Sequence, residues 1–255
     1  MDNAHRDLVR DQFTRQAVPF ASALAIRDSE TLRRIVELSG AEVSATVLDV
    51  GCGPGLLASA FALHVARVTG VDVTWAMLQQ ARAEQRGRGL LNIDWIQGDG
   101  TCLPCRDHAF SIVTSRLTFH HLLQPLLVLC EMARVCRRGG RVVVVDVCPA
   151  REKAAAFNRM ETLRDPSHTR ALPIEELAAL FESAGLRDLC VHRWRMPGEL
   201  ESLLARSFPL PGNDAHVRDI FRGSIAKDAM DVTPRLQDGT IVYALPMALV
   251  SATAT

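Results

Sequence analysis

Over the first 150 residues, short apolar runs alternate with amphipathic stretches. Leu32, Ile35, Val36 and Leu38 fall at helical spacing and Gly40 follows as a stop, so residues 1–45 read as helical. Beyond them, residues 46–50, 68–73, 92–96, 111–114 and 141–147 predict strands, while 56–65, 76–86 and 122–135 predict helices. Unbroken valine runs such as Val142-Val143-Val144-Val145 belong to strands buried on both faces, as in parallel sheets. Strands that alternate with helices predict βαβ units. After Pro149 the rhythm changes. Residues 150–170 read as helical, and so do 173–184, whose apolar positions Leu177, Leu180 and Phe181 precede the stop at Gly185. Residues 186–194 and 240–247 predict two late strands. The stretch 196–238 between them is rich in Pro, Gly and charge and too long for a structureless loop. The expectation is an α/β fold with a seven-stranded, mostly parallel sheet and helices on both faces. It divides into an N-terminal helical cap (1–45), a core (46–195), a helical insertion over the substrate (196–238) and a last strand with its tail (239–255).

Composition narrows the function classes. The 255 residues are 48% hydrophobic, with 29 Lys+Arg against 29 Asp+Glu, which describes a globular chain rather than a disordered one. A balanced charge gives no long-range field to attract nucleic acid, and no run is apolar enough to insert in a membrane. The charged start, without an apolar stretch of the secretory type, and an odd count of seven scattered cysteines favour reduced thiols in a cytoplasm. Cys102-Leu103-Pro104-Cys105 lacks the second pair that zinc requires, so ordinary thiols and no metal are expected.

The most informative segment is Asp49-Val50-Gly51-Cys52-Gly53-Pro54-Gly55, where a buried strand runs through three glycines into a helix. Glycines permit positive φ and close approach of backbone to a ligand. A dinucleotide fingerprint places its third glycine one position later, which weakens a nucleotide-dependent oxidoreductase reading. Asp49, before the glycines, repels a pyrophosphate but suits an ammonium or sulfonium. Asp72 ends the next strand, where a carboxylate can accept from ribose hydroxyls. Asp99, in Gly98-Asp99-Gly100-Thr101, can accept from an exocyclic amine.

This set resembles the class I S-adenosylmethionine-dependent methyltransferases. Leu126, Glu131-Met132, Arg134-Val135, Arg137 and Gly139-Gly140-Arg141, followed by the valine strand ending in Asp146, are similar to the ubiquinone/menaquinone-biosynthesis branch. The resemblance implies a Rossmann-like sheet and S-adenosyl-L-methionine as cofactor. It puts Asp49, Gly51, Gly53 and Gly55 under the methionine moiety, Asp72 at the ribose, Val73 and Met77 beside the adenine, and Asp99, Gly100 and Thr101 at its amine, with Arg116 nearby. The acid that relatives often carry in the fourth strand is Ser111 here. The remaining reading is a cofactor-binding protein that transfers no methyl.

Candidates for the acceptor side follow the later strands. His120 and His121, after the fourth strand, can each act as a base or steer a substrate; a satisfied histidine at a helix start explains them equally well. Arg164-Asp165-Pro166-Ser167-His168 follows the fifth strand, with His168 a third catalytic candidate and Arg164 and Asp165 as substrate contacts; a plain helix cap accounts for the same string. Phe13, Gln16 and Phe20 share a helical face that either folds over the cofactor or simply packs the core. The expected partner is a small-molecule substrate, and the expected state a monomer or homodimer.

Overall fold

A computed structural model describes residues 3–255; the first two residues of the predicted cap lie outside them. The cap consists of α1 (Asn3–Ser22), α2 (Leu24–Arg27) and α3 (Ser29–Leu38). The Asp28 side chain accepts from Thr31 N–H and so begins α3. The core then runs β1 (Thr46–Val50), α4 (Leu56–Ala62), β2 (Arg67–Asp72), α5 (Trp75–Gly87), β3 (Ile93–Gln97), β4 (Phe110–Arg116), a short 3-10 turn (Phe119–His121), α6 (Pro125–Val135) and β5 (Cys136–Val147). It continues through α7 (Ala154–Arg164), α8 (Ile174–Ser183), β6 (Arg187–Glu199), α9 (Leu200–Ala205), α10 (Asn213–Ser224), β7 (Arg235–Gln237) and β8 (Thr240–Thr253).

The sheet order is β3-β2-β1-β4-β5-β8-β6, with β7 paired on β8. The five strands from β3 to β5 are parallel, and β8 is antiparallel to both β5 and β6. This is the Rossmann-like methyltransferase architecture, seven strands on the main path and one short addition. The valine strand shows why it forms: Val143 and Val145 face one apolar layer with α3, α4 and α7, and Val142 and Val144 the other with α6 and α8. All four are wholly buried, each worth roughly 1.5–3 kcal/mol of transfer free energy. Strand order reverses between β1 and β4, where β1 and β2 lead one way and β4 and β5 the other. Such a switch point opens a crevice at the carboxyl ends of the strands.

Several predicted boundaries shift. The helix predicted over 150–170 is confined to α7, because Pro166 pushes Asp165 to extended backbone. The helix predicted from residue 122 begins at Pro125, whose missing N–H costs nothing in the first turn. The insertion predicted over 196–238 is partly strand: β6 runs on to Glu199, and β7 forms a hairpin with β8 around Asp238 and Gly239, both at positive φ. Its helices pack Val217 and Phe221 into the layer that holds Phe157, Met160 and Tyr243. No residue of 196–238 reaches the wall of the crevice.

Candidate active site

A cleft of about 1020 Å3, part of it open to solvent, fills the switch point. The glycine loop forms its floor. Backbone N–H groups of Gly51 and Cys52 donate to the carbonyl of Val71 at 2.8 and 3.0 Å, which closes the loop against β2. Asp72 finishes it: one carboxylate oxygen accepts from Gly53 N–H and the other from Thr74 N–H, both at 2.8 Å. Burial raises the Asp72 pKa to about 6, in spite of those two bonds.

Asp49 is buried on the cleft wall, and neither of its oxygens has a hydrogen-bond partner of good geometry among the described residues. Burial drives its pKa to about 7; the Arg116 guanidinium and the Ala58 N–H in the first turn of α4 pull it down, and Asp72 pushes it up. A buried carboxylate is costly without a donor or a cation. The cleft therefore offers a place for a cationic donor on a ligand. Arg116 does not fill that place directly: both terminal nitrogens donate to the Ile26 carbonyl at 3.1 Å, tying β4 to the cap. Burial lowers its pKa to about 10.

Two glycines separate ligand approach from packing. A Cβ on Gly53 would meet nothing within 4 Å, so that position is open toward the cleft. A Cβ on Gly55 would stand 2.5 Å from the Trp95 ring and 2.9 Å from the Ala81 Cβ. Both have positive φ. Gly53→Ala is expected to cost about 1–2 kcal/mol of backbone strain and to weaken ligand binding. Gly55→Ala adds a steric clash and is expected to lose more stability. Thermal melts with and without ligand check this; equal losses for both would refute the division.

The cleft wall also contains Val73, Met77, Asp99 and Gly100. Asp99 accepts from the Thr101 N–H and hydroxyl at 2.9 and 2.8 Å. Thr101 itself lies off the wall and orients Asp99. Ser111, in place of a fourth-strand acid, joins β4 to β1 by exchanging hydrogen bonds with Thr46. Wall residues that the sequence pattern did not reveal include Val9, Ile26, Leu117, Thr118 and Leu122. Leu117 had one legible signal only in three dimensions, a φ of 55°, an unusual conformation for a non-glycine residue.

Of the three candidate histidines, His121 is on the cleft wall, as are Phe13 and Phe20 of α1. His120 and His168 lie behind it, with ring centroids 4.2 and 6.3 Å from that of His121. His120 Nδ1 is 2.5 Å from Asp146. Burial opposes its charge, but Asp146 outweighs burial and the pKa is raised. His168 Nε2 pairs with Asn158 at 2.7 Å, and burial lowers the His168 pKa to about 4. Arg164 and Asp165 are buried away from the wall. Arg164 makes a two-pronged pair with Glu161 and donates to the Ser207 hydroxyl at 2.9 Å. Asp165 accepts from Gln16 of α1 at 2.8 Å. The predicted string, His168 included, thus lies behind His121 rather than on the cleft wall. Among the described residues no cluster has metal-holding geometry, and no helix is long and apolar enough to cross a membrane.

Comparison with known proteins fits this geometry. Residues 48–144, from β1 into β5, match the family described as methyltransferase domain. An uncharacterized methyltransferase of Bacillus subtilis, YcgJ, is 30% identical over 196 residues, 76% of this chain and 78% of the relative. The chain belongs to the S-adenosylmethionine-dependent methyltransferases. A demethylmenaquinone methyltransferase of Bacillus licheniformis is 32% identical, over 62% of this chain and 78% of that relative. The crystal structure of the YcgJ protein superposes with a TM-score of 0.80 at 26% identity, covering 88% of this methyltransferase and 97% of that chain. Asp49, Gly53 and Asp72 fit the cofactor: an unpartnered buried carboxylate, an open glycine and an acid held at a strand end.

Proposed function

We propose that this methyltransferase acts on a small, largely apolar acceptor held between α1 and the segment after β4. The supporting observation is the makeup of the cleft wall. Val9, Phe13, Phe20, Ile26, Leu117 and Leu122 line it with apolar side chains, and the terminal nitrogens of Arg116, a cation on that wall, are already engaged with the Ile26 carbonyl. An acceptor with a carboxylate or phosphate would compete with that carbonyl for the two terminal nitrogens of Arg116.

When bound, the cofactor supplies a methyl on a sulfonium, a good leaving group. The chain's own work is then position and exclusion of water, which contribute up to roughly 7–11 kcal/mol in well-oriented systems. Asp49 would take the cofactor's ammonium, Asp72 its ribose and Asp99 its adenine amine. Helix α1 covers the acceptor end, and its place is fixed by Gln12 and Gln16, which both donate to the Ser207 carbonyl. The test is incubation with S-adenosylmethionine and a panel of apolar and charged small molecules, followed by product mass and release of S-adenosylhomocysteine. The expected result is a gain of one methyl on apolar acceptors. Tight cofactor binding with no acceptor methylated, or turnover confined to anionic acceptors, would refute the reading.

A further inference from the structure

The hydrogen bonds around His121 fix its proton. Its Nδ1 lies 3.1 Å from the Ser167 carbonyl and 3.1 Å from the Ser167 hydroxyl oxygen. A carbonyl can only accept. The hydroxyl proton is committed to Asp165 at 2.6 Å, so that oxygen too can only accept from the ring. Both contacts require Nδ1 to carry hydrogen, which leaves Nε2 as a bare lone pair. Nε2 has no protein partner among the described residues, and His121 is on the cleft wall.

The anchor behind Nδ1 is rigid. Asp165 accepts from the Ser167 N–H at 2.9 Å on one oxygen and from Gln16 at 2.8 Å on the other. The Phe13 and His121 rings pack edge to face at 4.8 Å between centroids. Burial, with His120 as a neighbouring base and Asp165 opposing, lowers the His121 pKa, so the ring is neutral before reaction. A carboxylate, a hydroxyl and an imidazole in series, ending at an apolar chamber, are an arrangement for receiving a proton.

Resting on the methyl-transfer reading, we propose that His121 Nε2 takes the proton from a hydroxyl-bearing acceptor, a phenol or enol on an apolar frame, with Ser167 and Asp165 as the positioning residues behind it. The acceptor's O–H bond breaks toward Nε2 as its oxygen bonds to the methyl carbon. The carbon–sulfur electron pair stays on sulfur, and the positive charge reappears on the imidazolium, which faces Asp165 through Ser167. His120 and His168 take no part: the first is consumed by Asp146, the second by Asn158.

The first measurement is nitrogen NMR of the histidine-labelled, ligand-free chain at neutral pH. His121 is expected with Nδ1 protonated and Nε2 bare; the opposite tautomer or a charged ring overturns the proposal. Asp165→Asn should move the His121 nitrogen shifts, whereas Glu161→Gln in the same buried network should not; unmoved shifts in Asp165→Asn remove Asp165 from the device. The second measurement titrates naphthol and fluoronaphthalene, an isostere with no proton to give, into the chain saturated with S-adenosylhomocysteine. The wild type should prefer naphthol by about threefold to tenfold, the worth of one net hydrogen bond, and His121→Phe should lose that preference while binding S-adenosylhomocysteine unchanged. No preference in the wild type, or no binding of either probe, overturns it without any variant. Failure of the chain to bind S-adenosylhomocysteine would overturn the cofactor reading itself, whereas binding with the wrong tautomer overturns only the role of His121.

Discussion

Asp49→Asn should bind S-adenosylhomocysteine about tenfold to a hundredfold more weakly than the wild type, the scale of a lost charge-assisted hydrogen bond. The same substitution should make the ligand-free protein more stable at neutral pH. The reason is the cost of the unpartnered carboxylate. Its pKa in the folded chain, about 7, lies above the ordinary carboxylate value of 3.8. A raised carboxylate contributes its stability fully below the unfolded value and loses it as pH rises through the folded one, so between about 4 and 7 this group progressively destabilises the free protein. The neutral amide removes that penalty, on the order of a few kcal/mol. Ligand affinity has the opposite dependence. Pairing with an ammonium requires the ionised form, so binding should weaken by up to about tenfold per pH unit below 7 and level off above it. Calorimetry across pH, in buffers of different ionisation enthalpy, would also detect the released proton. An Asp49→Asn protein of wild-type affinity would remove this residue from the cofactor site.

The second large effect is on folding. Glu161→Ala should lower the unfolding free energy by about 3–5 kcal/mol, since it leaves the Arg164 charge buried without its principal partner. The two side chains are only 8% and 10% exposed, and the pair is 2.6 Å apart. Asp165, 3.7 Å from Arg164, is already occupied by Gln16 and Ser167 and cannot replace a two-pronged partner. Replacing both residues by Leu and Met should recover most of the loss, because removing a whole buried pair is often neutral. Denaturant unfolding would show the midpoint falling with an unchanged slope. A loss under about 1 kcal/mol for the single change would mean that water reaches Arg164.

What could be read from the sequence was what the chain encodes locally. The loop from Asp49 to Gly55, and Asp72 and Asp99 at the ends of successive strands, each occupy the end of an element that its own neighbours define, and the structure brings them together at the switch point. The valine run likewise announced a strand buried on both faces. What stayed hidden depends on pairing across long separations. Ser167 meets His121 across 46 positions, and Gln12 reaches Ser207 across 195. No spacing rule connects such residues, so the string from Arg164 to His168 looked like cleft chemistry when it is the support under it. The strand predicted over 186–194 falls short of β6 for a different reason. Pro197 and Gly198 read as breakers, yet β6 lies at the sheet edge, where a proline leaves no ladder bond unmade. The Asp238-Gly239 pair is itself a hairpin signal, but the surrounding charge and proline point to an insertion instead.

Asp165 belongs to two systems at once: it backs His121 through Ser167 and lies beside the buried Arg164. With His121 in its proposed role, chemistry and fold share one side chain, and an evolving or engineered variant cannot alter the first without disturbing the second. On the proposed function, the freedom to change acceptors lies elsewhere, in Val9, Phe13, Phe20, Leu117 and Leu122, where one apolar shape can replace another at modest cost. Descendants of this protein should diversify along that apolar rim, and keep the polar underside nearly fixed.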